Sequence, residues 1–310
     1  MILDVHGLTK SYRGKEVIHG IDFQVNEGEI LCFLGPNGAG KSTTINILTG
    51  ALGCEAGTVA YNRESIYSNM RKYKQKLGIV PQELALYNDL SAEKNVLFFA
   101  SLYGLKGKQL KESCRNALEF TGLSNRAGDK VNTFSGGMKR RLNIACAIAH
   151  RPELLIMDEP TVGIDPQSRE YILEGVEHLS AQGMTVVYTT HYMEEVEKIS
   201  TRILIMDEGN IIAEGSKEEL KADVDKERRY HISAHFETPP NVNLFLAIGG
   251  VKNAEIRDSE IVIATDKSVE ILDEIITVLI SEKIKIEDIS CRSASLETVF
   301  LNMTGKTLRD

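Results

Sequence analysis

The chain has 310 residues, of which 42% are hydrophobic, and a formal net charge of -8. That length predicts one large domain with a smaller one beside it, and the acidic balance argues against a mainly electrostatic grip on nucleic acid, which rewards clustered Lys and Arg. Five cysteines without CxxC spacing fit free thiols in a reducing compartment, with Cys32 and Cys146 as small core residues inside apolar runs.

The opening MILDVHGLTKSY carries neither the charged start nor the apolar stretch of a signal peptide. No apolar run approaches the roughly 18 residues of a membrane helix, so spanning helices are expected to come from another polypeptide. Leu3 to Leu8, Val17 to Val25 and Gly57 to Tyr61 read as antiparallel strands joined by turns. Tyr12, in LTKSYRG, is a ring able to stack on a nucleobase if exposed, and core filler if not.

The run Ile30 to Leu34 leads straight into GPNGAGKST, a match to GxxxxGK[ST] with a strand before it and a helical NILTGAL after it. Gly35, Gly38 and Gly40 permit turns that side chains forbid, so successive backbone N–H groups of the loop, which also holds Pro36, Asn37 and Ala39, can converge on phosphate oxygens at a helix start. Lys41 supplies a point charge for the outer phosphates, Ser42 a hydroxyl for Mg²⁺, and Thr43 continues the turn.

Leu77 to Val80 is the next apolar strand, and Gln82 follows it with an amide that can reach the metal or a water. Between Gln82 and Phe134 the pattern turns helical: SAEKNVLFFASLYGL starts on a Ser cap, and KQLKESCRNALEFTGL ends at a Gly. A helical insert is expected over about 83–150. Ser135 then caps a helix whose start, Gly136 and Gly137, leaves bare backbone as a second anion site. One triphosphate in both grips is simplest if the second grip comes from a facing copy.

LLIMDEP is an apolar strand, Leu154 to Met157, ending in two carboxylates, which are costly there without a cation or proton to receive. Strand alternation predicts different tasks for them: Asp158 holds Mg²⁺ with Ser42, and Glu159 orients and deprotonates the attacking water. Strand Thr185 to Thr190 ends at His191, which taken alone reads either as a satisfied structural residue or as a neutral donor for the terminal phosphate, and a further strand covers Arg202 to Met206.

After Gly215, SKEELKAD reads as a short amphipathic helix and VDKERRY is charged and short of apolar residues, placing a boundary near residue 225; its KERR cluster reads as a solvated linker, with contact to anionic lipid as the alternative. The remainder alternates as strand (Arg229 to Phe236), helix (Val242 to Ile248), strand (Val251 to Arg257), strand (Glu260 to Thr265), helix (Ser268 to Ser281) and strand (Lys285 to Cys291), with a last helix from Leu296. That is the βαββαβ order of a ferredoxin-like module.

Over residues 1 to about 220 the chain resembles the ATP-binding subunits of ABC transporters. Tyr12 matches the adenine-stacking residue, GPNGAGKST Walker A, Gln82 the Q-loop residue, SGGMKRR the signature, LLIMDE Walker B, Asp165 in VGIDP the D-loop, and His191 the switch histidine. Departures are Phe134, Met138, Val162 and Ile164, none of which removes a group assigned to phosphate. The resemblance implies a P-loop α/β core with an antiparallel β subdomain (1–224, helical subdomain 83–150) and a C-terminal accessory module (225–310). It also implies ATP and Mg²⁺, a head-to-tail pair sandwiching two ATP molecules, most simply a homodimer, and a membrane permease that keeps the chain on the inner face of the membrane. Asp165 joins the nucleotide site on this ground alone.

The ending SLETVFLNMTGK resembles a branch containing antibiotic-resistance, lantibiotic-immunity and sodium exporters, which implies outward transport. A DNA-repair ATPase with this head needs a coiled coil that the insert is too short to hold, and ribosome-acting relatives usually carry two cassettes. A non-transporting regulatory ATPase is the alternative.

Overall fold

The computed structural model describes residues 1–222, 227–236, 239–257, 259–266, 269–292 and 295–304. The chain divides into two compact units that part between Lys217 and Glu218.

The first unit opens with β1 (Leu3–Tyr12) and β2 (Lys15–Val25), joined through a turn in which Arg13 and Gly14 both have positive φ. β3 (Ile30–Leu34) follows, then α1 (Lys41–Leu48), β4 (Ala56–Tyr61), β5 (Glu64–Ser65), α2 (Met70–Lys74) and β6 (Leu77–Val80). Next come α3 (Ala92–Leu102), α4 (Gly107–Phe120) and α5 (Gly136–Ile148), all within the expected helical insert. β7 (Leu154–Asp158), α6 (Pro166–Ala181), β8 (Thr185–Thr190), α7 (Met193–Ile199), β9 (Arg202–Asp207) and β10 (Asn210–Gly215) complete the unit.

Two sheets result. An antiparallel layer runs β2-β1-β4-β5, and a six-stranded sheet runs β10-β9-β3-β8-β7-β6, parallel except for β10. β3, β7 and β8 are buried at every residue, the pattern of central parallel strands covered on both faces. Each large aliphatic side chain buried there contributes about 1.5–3 kcal/mol. Register decides where function can sit. Leu34 lies beside Thr190, Asp158 beside Thr189 and Val80 beside Met157, so the segments following β3, β6, β7 and β8 leave the same carboxyl edge.

Local signals set the helix ends. Ser91 caps α3 by accepting from Lys94 N at 3.2 Å, and Gly122, at φ 68°, follows the end of α4. Helix α1 is shorter than NILTGAL implies: it stops at Leu48, because Gly50 takes the left-handed conformation that ends helices.

After α8 (Lys217–Ala222) the second unit holds β11 (Glu227–His235), α9 (Val242–Leu246), β12 (Val251–Arg257), β13 (Glu260–Asp266), α10 (Leu272–Ser281), β14 (Lys285–Arg292) and α11 (Leu296–Thr304). The strands form an antiparallel sheet in the order β12-β13-β11-β14, which is the ferredoxin-like arrangement. Its core gathers Tyr230, Ile232, Phe245, Ile261, Ile263, Ile275 and Leu279. The linker reading is corrected at Glu227 and Arg228: β11, expected from Arg229, begins two residues earlier, because these two pair with Asp266 and Thr265 of β13 and that backbone bonding outweighs their polarity. Lys226 and Ser268, and the closing Gly305 and Lys306, lie outside the described residues.

Candidate active site

The loop between β3 and α1 is built around close backbone approach. A Cβ on Gly35 would lie 2.2 Å from Met206 O, and one on Gly40, at φ 104°, would lie 2.7 Å from Ile18 Cδ1. Ala39 is buried and its carbonyl accepts from Gly209 N at 3.0 Å, which ties the loop to the β9–β10 turn. Asn37 and Gly38 form the exposed crest, with Pro36, Ser42 and Thr43 half-buried beside it.

Lys41 folds back under this crest. Its Nζ donates to Gly35 O (2.8 Å) and Pro36 O (3.0 Å) and lies 3.3 Å from Glu159 Oε1. Burial pulls the Lys41 ammonium below its usual pKa, and the Glu159 carboxylate opposes that pull.

Strand alternation is not what separates the two acids. β7 ends at Asp158, and Glu159 has φ 44°, a left-handed conformation that costs an L-residue about 1–2 kcal/mol. Two bonds from Glu159 N hold it there, to Thr189 Oγ1 (2.9 Å) and Thr189 O (3.2 Å). Asp158 is thereby aimed at Ser42, whose Oγ donates to Asp158 Oδ1 at 3.2 Å, and the same oxygen accepts from Thr189 Oγ1 at 2.6 Å. Glu159 turns the other way into a ring of donors: Lys41, Gln82 Nε2 at 3.3 Å from Oε2, and His191 at 3.4 Å from Oε1. A carboxylate only accepts, so the His191 nitrogen facing it, Nδ1, carries the proton.

Five of the sequence-predicted residues, Lys41, Ser42, Gln82, Asp158 and His191, thus meet at or around Glu159 or its neighbour. Tyr12 is 46% exposed at the end of β1, with Lys10 Nζ over its ring, 5.8 Å from the centre. Ser135 caps α5, accepting from Met138 N at 3.2 Å. Gly136 is exposed, while a Cβ on Gly137 would lie 2.0 Å from Ser168 Oγ and 2.9 Å from Asp165 Oδ2. Asp165 caps α6 by accepting from Ser168 N at 2.9 Å, and that bond holds its carboxyl below the usual range.

Two partners escape sequence reading. Thr189, the penultimate residue of β8, serves both acids at once. Arg140, buried in α5, donates to Pro81 O and Gln82 O, each at 2.6 Å. The run KRR marks a basic turn but does not say which arginine points inward.

The donor set suits a magnesium–triphosphate. Hard oxygens from Ser42 and Asp158 converge, and among the described residues no group of three or more His, Cys, Asp or Glu could hold a metal alone, so a Mg²⁺ ion would draw further ligands from phosphate and water. In the loop Gly35 and Gly40 pack too closely against Met206 and Ile18 to carry side chains, and Gly38 is held at φ 84° with open space around it, so the backbone of the crest is bare.

The sequence profile described as ABC transporter matches residues 18–162. The chain is 42% identical to the linearmycin resistance ATP-binding protein LnrL of Bacillus subtilis (strain 168), over all of both chains. It is 35% identical to a Nod factor export ATP-binding protein I of Burkholderia orbicola, over 99% of this chain and 98% of that one. Among solved structures, a dimeric ATP-binding cassette in a post-hydrolysis state bound to ADP and Pi aligns with TM-score 0.64 and 26% identity, covering 69% of this chain and 98% of that one.

Proposed function

Since this chain belongs to the ABC transporter family as an ATP-binding, ATP-hydrolysing subunit, we propose that it drives export through a separate membrane permease by closing onto a second cassette around ATP. The observation carrying this reading is the convergence of Lys41, Gln82 and His191 on the Glu159 carboxylate at the carboxyl edge of the parallel sheet. Mg²⁺, when bound, offsets charge on the phosphates.

The chain's own groups do the rest. Lys41 and the loop from Gly35 to Thr43 hold the phosphates, Ser42 and Asp158 fix the metal, and Tyr12 stacks on adenine. Glu159 accepts a proton from the attacking water, Gln82 positions that water, and His191 donates to the terminal phosphate. Ser135, Gly136 and Gly137 grip the ATP of the facing chain, with Asp165 bracing that surface. Residues 1–224 form the motor and 225–310 an accessory module.

Leu84, Tyr87, Phe98 and Leu102 are exposed on the insert that follows Gln82, Leu102 at 66%, and Tyr87 and Phe98 pack edge to face at 5.1 Å. Exposed apolar side chains of this kind on one insert suit a protein partner, here the permease at the inner face of the membrane. Among the described residues no helix is long and apolar enough to cross a membrane, so that partner supplies the spanning segments. The relatives' printed roles, linearmycin resistance and Nod factor export, support outward transport.

Glu159→Gln protein mixed with Mg-ATP tests the reading by light scattering. It should shift from monomer to a stable dimer that reopens when ATP is removed; a chain that stays monomeric at saturating ATP overturns the proposal.

A further inference from the structure

Glu195, in the first turn of α7, is a carboxylate with 1% exposure that lies outside the phosphate-binding set. Burying such a group is costly unless its oxygens are satisfied, and here three hydroxyls do so. Oε1 accepts from Thr161 Oγ1; Oε2 accepts from Tyr188 Oη (2.9 Å) and Thr190 Oγ1 (2.8 Å). Arg169 Nε, 3.6 Å from Oε1, is at ion-pair distance and beyond hydrogen-bond reach.

The positions of those donors give the cluster its meaning. Thr161 lies two residues after Glu159, and its carbonyl accepts from Ile164 N (3.2 Å) at the entrance to the Asp165 turn. Thr190 immediately precedes His191, and its hydroxyl also accepts from Tyr192 N at 2.9 Å, bracing the backbone on both sides of the histidine. Arg169 stands in the first turn of α6, its N–H bonded to Asp165 O at 2.9 Å, and its guanidinium lies 4.7 Å from the Tyr192 ring centre. One carboxylate therefore ties together the turns that carry Glu159, His191 and Asp165.

We propose that Glu195 is a positioning residue for hydrolysis: it holds His191 in register with Glu159 and links both to the Asp165 turn, so that the base and the phosphate donor move as one piece with the surface facing the second cassette. This rests on the ATPase reading above. Hydroxyls aimed at a carboxylate are oriented in one direction only, because it can only accept. A glutamine of the same shape presents an NH₂ to part of the cluster, forces at least one hydroxyl to turn round, and removes the attraction for Arg169. Misplacement of reacting groups by a fraction of an ångström up to 1 Å costs roughly tenfold to a hundredfold in rate.

The test is steady-state ATP hydrolysis by the full-length chain carrying Glu195→Gln, Thr190→Ser or Thr190→Val, with thermal unfolding and nucleotide affinity measured alongside. Glu195→Gln should lower kcat about tenfold or more while the affinity for ATP changes less than about threefold. Thr190→Ser, which keeps the hydroxyl, should retain the rate, and Thr190→Val should lose it. Combined with His191→Ala, Glu195→Gln should add little further loss, since it acts through that histidine. Wild-type kcat in Glu195→Gln, equal rates in the Ser and Val variants, or full additivity with His191→Ala overturns the proposal. If the wild-type chain itself does not hydrolyse ATP, the ATPase reading fails instead.

Discussion

Lys41 Nζ and Glu159 Oε1 stand 3.3 Å apart with 4% and 7% of their side chains exposed, an ion pair between the phosphate-binding lysine and the proposed base. Each group is the other's main charge partner, and breaking a buried pair from one side leaves the remaining charge uncompensated.

Lys41→Ala should therefore weaken ATP binding by roughly tenfold to a hundredfold, the value of one or two charge-assisted hydrogen bonds. Glu159→Gln should leave affinity unchanged or tighter, since it frees Lys41 from a competing anion, while kcat falls about 10²- to 10⁴-fold. Fluorescent-nucleotide titration and phosphate release separate the two effects. Equal affinity in Lys41→Ala would count against the cradle, and near wild-type turnover in Glu159→Gln against the base.

Arg140 bonds to both carbonyls at the Gln82 turn, so the helix that starts with the signature and the loop that carries Gln82 share one fastening. Arg140→Met keeps the stem and removes the fork. It should cost about 2 kcal/mol of stability through the orphaned carbonyls and lower kcat about tenfold through a displaced Gln82. Urea unfolding and kinetics measure these; an unchanged kcat would show that the fastening is structural alone.

In mixed pairs of tagged chains, Ser135→Glu on one chain should abolish turnover at the phosphate loop of the other and spare its own. Nucleotide trapped on each chain reports which loop has worked. A defect confined to the mutated chain's own loop rules out a site shared between chains.

His150 sets a pH limit on folding. Its Nε2 is 2.8 Å from Leu77 O, its ring stacks on Tyr103 at 3.5 Å, and Nδ1 is buried with no partner. Burial pulls its pKa from 6.5 down to about 4. The folded protein thus binds fewer protons than the unfolded chain between those values. Stability is fully present above pH 6.5 and is lost as the pH falls towards 4. Allowing for the ring's partial exposure, the loss between pH 7 and pH 5 should be about 1–2 kcal/mol. His150→Gln should lose less over the same range, as read from urea midpoints, and parallel curves for the two proteins would refute the assignment.

Residues near one another in the sequence made their own chemistry legible. GPNGAGKST needs only its glycines and the lysine beside them to specify an anion-binding turn, and ILCFL, LGIV and TVVYTT carry buried strands at the bounds observed. Adjacent acids after LLIM likewise announce a charged strand end. Only the tertiary structure decided what those groups face. Glu159 takes its left-handed turn because Thr189, 30 residues away, receives its N–H, and Arg140 points inward to donate to carbonyls 58 and 59 residues away. Glu195 looks like any exposed helical acid in EEVEKI, yet hydroxyls from neighbouring strand ends make it a buried hub. A polar side chain's cost of burial depends on partners supplied by strand register, and no short stretch of sequence contains that register.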